Sequence, residues 1–249
     1  MSFAHEELLI CVLARLLEGE RNVAVGSSSP VAAAGALLAQ ALSNGATRAL
    51  IFRNNIRDPF PESGSELYDR IGQGRIDVFF LSGGQIDGKA NLNMVGVGGY
   101  PNSRVRFPGC HGTPVIYMMV PRVILFREEH SPRVLVPEVD YISAPGTSPS
   151  NVYRRGGPTD LVTGLAHFRF DRARGRFTLA SVHPGHSVEE IHSQTGFEFE
   201  RPAEVPVTAE PDPEWLSLIR GCVATEVSQT YPDFAADKLG YKAPAGAPA

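Results

Sequence analysis

The chain of 249 residues is 43% hydrophobic and carries a formal net charge of −4 at pH 7 without a basic stripe, so we expect a globular protein that binds neither nucleic acid nor a membrane. No apolar run approaches the roughly 20 residues that span a bilayer, and the acidic first residues are unlike a signal peptide. Three scattered cysteines without a CxxC pair predict a cytoplasmic protein with no disulfide framework and no metal site.

The first 81 residues alternate between helix and strand patterns. Apolar residues recur at helical spacing over residues 8–17, and Gly19 is placed to end that helix. A second helix is predicted from Pro30 to about Leu42, with a serine N-cap. Short apolar runs at residues 23–25, 49–52 and 76–81 predict strands, and the last two are typical of strands covered on both faces. The alternation predicts an α/β fold with a wound, largely parallel sheet and flanking helices.

The remaining residues predict a mixed half that is rich in glycine and proline. Strands are predicted at residues 122–126 and 134–136. Ser187 opens a capping-box pattern and Asp212 precedes a proline, so a helix is expected after each. The length allows one domain or two closely joined lobes, and we assign a single domain to residues 1–242 and a disordered tail to residues 243–249.

The densest cluster of glycine and polar residues, at residues 82–112, follows the predicted strand at residues 76–81. It reads Ser-Gly-Gly-Gln-Ile-Asp-Gly, then Asn-Leu-Asn, then Gly-Val-Gly-Gly, then Arg-Phe-Pro-Gly-Cys-His-Gly. Open α/β sheets bind ligands beyond the carboxyl ends of their strands, and glycine lets backbone N–H groups approach a ligand. The cluster therefore predicts a substrate cradle, with a set of tight turns as the alternative. The spacing lacks GxGxxG, so a dinucleotide site is not expected.

This order of motifs resembles the B subunits of family I CoA-transferases, and glutaconate CoA-transferase in particular. In that family a strand leads to Gly-Gly-x-Gln-Ile-Asp, an Asn-x-Asn pair and a glycine-rich turn after Arg-Phe. The same elements occur here, in the same order, within residues 82–112. Family segments also have counterparts at residues 26–30, 140–146, 195–197 and 211–213, so the resemblance covers all but the tail.

The resemblance implies an enzyme in which A-type and B-type subunits meet around the active site, as a heterodimer or a dimer of heterodimers. Its substrate would be an acyl-CoA thioester, with a dicarboxylic acyl group suggested by analogy, and no cofactor would be bound permanently. One turn would offer backbone N–H donors to the thioester oxygen as charge develops there: Gly109, Cys110, His111 and Gly112. Substrate or CoA contacts are expected from Ser27, Ser28, Ser29, Gly83, Gly84, Gln85, Asp87 and Asn93.

This chain departs from the family pattern at the position of the catalytic nucleophile. Family transferases use a B-subunit glutamate just after the strand that corresponds to residues 49–52, because the acyl group passes through an anhydride to a glutamyl-CoA thioester. This chain has Arg53, Asn54 and Asn55 there, and none of them can carry the acyl group. Glu62 lies nine residues beyond Arg53, after a proline-containing turn. It is the alternative nucleophile, or else an exposed loop carboxylate.

Three hypotheses about function follow. In the first, the protein transfers CoA between carboxylic acids, using Glu62 or a carboxylate of the partner subunit. In the second, hydrolysis, C–C cleavage or decarboxylation replaces transfer, and Arg53 holds a substrate carboxylate or pairs with an acid of the partner. In the third, the chain is a non-catalytic assembly subunit, which the glycine-rich turn argues against.

Several polar residues are weaker candidates. Cys110 is a possible nucleophile, although we expect only its backbone to matter. His183 and His186 are expected to flank a turn rather than bind a metal, because no third ligand has a matching spacing. Asp87 and Asn93 are expected to hydrogen-bond within the glycine-rich cluster and hold it rigid. The loop at Arg154 and Arg155 is expected to be solvated, with contact to the CoA phosphates as the alternative.

Overall fold

The computed structural model describes residues 2–52 and 64–243 of the chain. The chain separates into two compact units, one made of Met1–Glu66 and Glu210–Ala249 and the other of Leu67–Ala209. The single domain over residues 1–242 stays a prediction. Apart from Ala243, the tail for which disorder is predicted lies outside the described residues.

The first unit opens with two helices and two strands, as the alternating pattern predicts. They are α1 (His5–Leu16), β1 (Asn22–Val25), α2 (Pro30–Leu42) and β2 (Arg48–Ile51). The strands β1 and β2 are parallel, and their register pairs Asn22 with Arg48 and Val25 with Ile51. Only Ile51 of β2 is buried, because β2 is an edge strand. The expectation that both faces of this strand are covered is therefore wrong.

The second unit contains most of the sheet. It begins within α3 (Gly64–Gly72), at Leu67. Its other elements are β3 (Val78–Leu81), β4 (Gln85–Ile86), β5 (Leu92–Asn93), β6 (Gly96–Val97), β7 (Val105–Arg106), α4 (Thr113–Met119), β8 (Arg122–Arg127), β9 (Pro158–Thr163), β10 (Ala166–Asp171), β11 (Arg176–Val182) and α5 (Val188–Gln194). The strand order in this part of the sheet is β11-β10-β9-β8-β3. Strands β3, β8 and β9 are parallel, whereas β9, β10 and β11 form an antiparallel meander. The wound, largely parallel α/β architecture is confirmed.

The strand predicted at residues 134–136 is wrong. A turn ends at Val134, and the N–H groups of Val134 and Leu135 both bond the Ser131 carbonyl. Beyond the turn, only Leu135 makes a bridge, to Ile86. Pro137 follows Val136 and has no N–H to extend the pairing, so the apolar run is buried without becoming a strand.

The C-terminal segment of the first unit is helical. It contains α6 (Pro213–Leu218), a π-helical turn (Ile219–Val223), α7 (Ala224–Val227) and α8 (Pro232–Leu239). The predicted caps of α5 and α6 are both present, since Ser187 accepts the Glu190 N–H and Asp212 accepts the Glu214 N–H. Among the described residues, no helix has the length and apolar character to cross a membrane.

Candidate functional site

The glycine-rich cluster at residues 82–112 leaves the end of β3 and folds into two small hairpins and a turn. Strands β4 and β5 pair in the first hairpin and β6 and β7 in the second. The turn at residues 109–112 then leads into α4. The cluster therefore begins at the carboxyl end of a parallel strand, where open α/β sheets place their ligand sites.

Asn93 joins the two hairpins through a fully buried side chain. Its amide nitrogen donates to the side-chain oxygen of Gln85 at 2.6 Å and to the Gly96 carbonyl at 2.7 Å. Its amide oxygen accepts the N–H groups of Val95 at 2.9 Å and Gly96 at 3.3 Å. Each polar atom of Asn93 is thus used inside the protein.

Gln85 extends this network to Asp140, 55 residues further along the chain. The Gln85 amide nitrogen donates to the Asp140 carboxylate at 2.6 Å, and its oxygen accepts the Asp140 N–H at 3.0 Å. The other Asp140 carboxylate oxygen accepts the Gly98 N–H at 3.2 Å. These contacts hold the second hairpin to the segment at residue 140.

Asp87 organises the tip of the first hairpin and is buried, with a relative exposure of 3%. One carboxylate oxygen accepts the N–H groups of Lys89 at 2.9 Å and Asn91 at 3.0 Å, and the other accepts the Asn91 side-chain amide at 2.9 Å. Asn91 in turn accepts the Gly146 N–H at 3.0 Å. The predicted hydrogen bonding of Asp87 and Asn93 within the cluster is confirmed, while their contact with substrate stays a prediction.

Gly83 and Gly84 are required by close packing. A Cβ on Gly84 would overlap the Phe107 ring, and a Cβ on Gly83 would lie 2.9 Å from the Gln85 carbonyl. We call the interlocked set of Gln85, Asp87, Asn91, Asn93 and Asp140 the amide network. Because its side chains contact one another, this part of the predicted cradle positions the hairpins.

The turn at residues 109–112 differs from the amide network in its unused donors. Gly109 (φ 103°), His111 (φ 25°) and Gly112 (φ 69°) adopt left-handed conformations. The Gly109 N–H donates to the Met94 carbonyl at 3.1 Å, but the N–H groups of Cys110, His111 and Gly112 have no acceptor among the described residues. Successive N–H groups in such conformations form concavities that bind anions. Of the four predicted N–H donors, Gly109 is used inside the protein, so three consecutive residues are left as candidates.

Tyr68 on α3 supports this turn, a role that no pattern in the sequence indicates. Its hydroxyl donates to the His111 carbonyl at 2.8 Å. Its ring occupies the space that a Cβ on Gly112 would need. Burial raises the pKa of the Tyr68 hydroxyl, and the nearby Cys110 raises it further. The hydroxyl therefore remains a protonated donor to the turn.

The three predicted serines belong to the first unit. Ser27 and Ser28 are exposed after β1, and Ser28 has φ 64°. Ser29 is the N-cap residue of α2, as predicted, although its side chain makes no capping bond. Its N–H donates to the Tyr231 hydroxyl at 3.3 Å. Their proposed contact with substrate stays a prediction.

The position that corresponds to the family's nucleophile falls between the two described ranges of the chain. Arg53, Asn54, Asn55 and Glu62 all lie outside the described residues.

Of the weaker candidates, His183 is buried, with one ring nitrogen 2.8 Å from the Thr208 hydroxyl and the other 3.1 Å from the Thr163 carbonyl. His186 lies 3.0 Å from Glu190. Each histidine therefore contacts residues of its own neighbourhood, Thr163 and Thr208 for His183 and Glu190 for His186, on either side of the predicted turn.

A family model described as coenzyme A transferase matches residues 8–194. The chain is 27% identical to the B-type subunit of 3-oxoadipate CoA-transferase from Pseudomonas knackmussii, over 85% of this chain and 81% of that protein. It is 30% identical to the B-type subunit of glutaconate CoA-transferase from Acidaminococcus fermentans, over 63% of this chain and 60% of that protein. It is also 30% identical to the IpdB subunit of the cholesterol ring-cleaving hydrolase from Rhodococcus jostii, over 62% of each.

Solved structures share the fold. Rhodococcus jostii IpdAB aligns with a TM-score of 0.77 at 23% identity and covers 89% of this chain and 94% of that chain. The decarboxylase AibA/AibB aligns with a TM-score of 0.74 at 22% identity and covers 96% of this chain and 100% of that chain. At these identities the likeness establishes a common architecture.

Proposed function

The chain belongs to the coenzyme A transferase family as a B-type subunit, and we propose that it acts on an acyl-CoA thioester together with an A-type subunit. Two relatives named above are themselves B-type subunits of CoA-transferases. An A-type partner, a CoA thioester as substrate and the absence of a permanently bound cofactor follow from that kinship as parts of the proposal.

The observation that carries the proposal is the set of N–H groups at Cys110, His111 and Gly112, which have no acceptor within residues 2–52 and 64–243. When a nucleophile attacks a thioester, negative charge develops on the carbonyl oxygen. Backbone N–H groups already in place stabilise that charge without reorganisation during the reaction, and one such donor contributes about 3–4 kcal/mol. We assign the turn to the thioester oxygen.

The amide network supplies rigidity to this assignment. Met94 follows Asn93, and its carbonyl accepts the Gly109 N–H that begins the turn. The Met94 N–H donates to the Ser143 hydroxyl at 3.0 Å. The turn is therefore attached to a hydrogen-bonded frame whose Gln85 and Asn93 side chains are buried, and this frame fixes the position of its donors.

The reaction on this scaffold has two candidates. Transfer of CoA between carboxylic acids is the first, because two relatives of this chain are named as subunits of CoA-transferases. Hydrolysis or C–C cleavage is the second, because the family's glutamate position corresponds to Arg53, Asn54 and Asn55. The names of a related hydrolase and a structurally similar decarboxylase favour keeping the second candidate.

Borohydride trapping separates the two candidates. The A-type partner and this chain are purified as a complex, incubated with acyl-CoA and treated with borohydride, which reduces a glutamyl thioester to the alcohol and releases CoA. Mass spectrometry that finds the reduced residue at Glu62, or on the partner, supports transfer. Turnover without a reduced residue, giving free acid or a cleaved carbon skeleton, supports the second candidate. A complex that consumes no acyl-CoA contradicts the proposed function.

A further inference from the structure

A pocket of about 340 Å³ in the second unit has a strongly cationic lining. It lies between the loop at residues 146–156 and the start of the β10–β11 turn. The residues that line it include three arginines and three hydroxyl residues, and no carboxylate of the described residues lines it. The arginines and hydroxyl residues are Arg154, Arg155, Arg172, Thr147, Ser148 and Ser150. The Arg155 guanidinium lies against Gly74, so Arg154 and Arg172 carry the charge of the lining.

Arg154 is a half-buried cation without a counter-ion among the described residues. Its guanidinium donates to the carbonyls of Pro145 at 2.7 Å, Gly156 at 2.9 Å and Tyr117 at 3.1 Å, and to the Ser148 hydroxyl at 3.2 Å. All four acceptors are neutral, and the guanidinium carbon also lies 5.4 Å from the centroid of the Tyr117 ring, so no full negative charge of a described residue balances it. Burial lowers the Arg154 pKa, and the positive charge of Arg172 lowers it further. A bound anion would relieve both effects.

The β10–β11 hairpin carries arginines that form ion pairs close to one that forms none with a described residue. Arg174 and Arg176 both pair with the Glu200 carboxylate. Arg172 forms no ion pair with any described residue, and it faces the pocket instead. The adjacent Asp171 carboxylate accepts the N–H groups of Ala173 at 2.9 Å and Arg174 at 3.1 Å, which directs it into the hairpin turn.

The pocket and the turn at residues 109–112 contact opposite ends of α4. The Gly156 N–H donates to the Met118 carbonyl at 2.8 Å, close to the last residue of the helix, whereas the turn directly precedes Thr113. A helix of this length spans about 10 Å at 1.5 Å per residue. An acyl-CoA likewise carries its thioester at one end and its phosphate groups at the other, separated by the pantetheine arm.

We propose that this pocket is a phosphate-ester site and that it holds the phosphate end of the acyl-CoA, an assignment that rests on the proposed function. Arginine suits this ligand because its planar guanidinium forms paired hydrogen bonds with phosphate oxygens. The substrate then lies along α4, from the cationic pocket to the donors of the turn.

The test compares the full chain with its Arg172→Gln variant, and uses Arg174→Gln as the matched control on the same hairpin. Calorimetry measures the affinities for inorganic phosphate, adenosine 3′,5′-bisphosphate, CoA and an S-acyl-pantetheine that lacks phosphate. For Arg172→Gln we expect affinity for the bisphosphate and for CoA to fall roughly three- to tenfold, since the lost guanidinium is exposed to solvent and its interaction is screened. Arg174→Gln should bind all of these ligands with wild-type affinity, and Arg172→Gln should bind the pantetheine ester with wild-type affinity.

The ligands distinguish the possible sources of phosphate. If Arg172→Gln weakens the bisphosphate and leaves CoA unchanged, the phosphate site stands and its assignment to CoA is wrong. If neither phosphate ligand responds, or if the pantetheine ester weakens equally, the pocket is not a phosphate site. These outcomes do not depend on turnover, whereas a wild-type complex without acyl-CoA turnover contradicts the proposed function alone.

Discussion

The amide network and the turn at residues 109–112 belong to one glycine-rich cluster but use their polar groups in opposite ways. Gln85, Asp87 and Asn93 are buried, and their side chains hydrogen-bond inside the protein. The turn is half-buried or exposed and leaves three consecutive N–H groups without an acceptor among the described residues. Polar residues that satisfy each other build a frame, and polar groups that stay unsatisfied are available for a ligand.

The largest expected effect on stability comes from breaking the frame at Asn93. In Asn93→Ala the N–H groups of Val95 and Gly96 lose their acceptor, and the Gly96 carbonyl loses its Asn93 donor. Each unsatisfied group costs about 1–3 kcal/mol, so we expect the free energy of unfolding to fall by about 4 kcal/mol. Urea unfolding measures this change, with exposed Asn102→Ala as the control. A loss below about 1 kcal/mol would show that Asn93 does not hold the hairpins together.

The pH dependence of stability should report a buried histidine of the second unit, His130. Burial lowers the pKa of His130 from 6.5 to about 4, and its ring lies 2.8 Å from the Thr163 hydroxyl and 2.9 Å from that of Thr195. Between pH 6.5 and 4 the unfolded chain therefore binds the proton that the folded chain excludes. This contribution is complete above the unfolded pKa and is lost as the pH falls through the folded one.

At pH 4 and below, we expect His130 alone to account for a loss of about 3 kcal/mol in the free energy of unfolding. Chemical unfolding at a series of pH values, compared between wild type and His130→Gln, isolates this contribution. The variant should show a flatter dependence between pH 6.5 and 4. Equal slopes in the two proteins would mean that His130 takes up its proton at the same pH in the folded and the unfolded chain, and would contradict the lowered pKa.

The sequence predicts those features that depend on neighbouring residues and misses those that depend on residues far apart in the chain. The strands β1, β2 and β3 and the caps at Ser187 and Asp212 are predictable because apolar runs and capping are local. The meander β9–β11 was not predicted, since its strands carry charged residues such as Asp160 and Arg169 within otherwise apolar segments. The sequence does not predict the role of Gln85, because its partner Asp140 lies 55 residues away.

The turn itself was predicted by resemblance, yet its supporting tyrosine was not. In Tyr68→Phe the 2.8 Å hydrogen bond to the His111 carbonyl is lost while the ring still packs against Gly112. We expect a stability loss of about 1 kcal/mol and a roughly tenfold fall in kcat as the turn loosens. Steady-state kinetics with acyl-CoA measures this, and the exposed Tyr153→Phe is the control. Unchanged kcat in Tyr68→Phe would separate the tyrosine from the active site.

The smallest effect concerns thiol accessibility. Burial raises the pKa of Cys11 to about 12, and its side chain is inaccessible, whereas Cys222 is exposed and Cys110 is intermediate. Timed alkylation of the native chain followed by peptide mass spectrometry should therefore modify Cys222 first, Cys110 next and Cys11 only after unfolding. A bound acyl-CoA should slow modification of Cys110 and leave Cys222 unaffected. Equal rates at Cys110 with and without acyl-CoA would contradict the assignment of the turn to the substrate.

The most direct test of the central claim, that the turn binds the thioester oxygen as charge develops, is kcat of Gly112→Ala in the complex with the A-type partner. A Cβ at this residue meets the Tyr68 ring and displaces the donors, whereas Gly45→Ala, at φ 81° in open space, controls for left-handed backbone strain alone. We predict a fall in kcat of roughly 100- to 1,000-fold for Gly112→Ala, with KM little changed, and wild-type kcat for Gly45→Ala. A folded Gly112→Ala complex that retains wild-type kcat would contradict the claim.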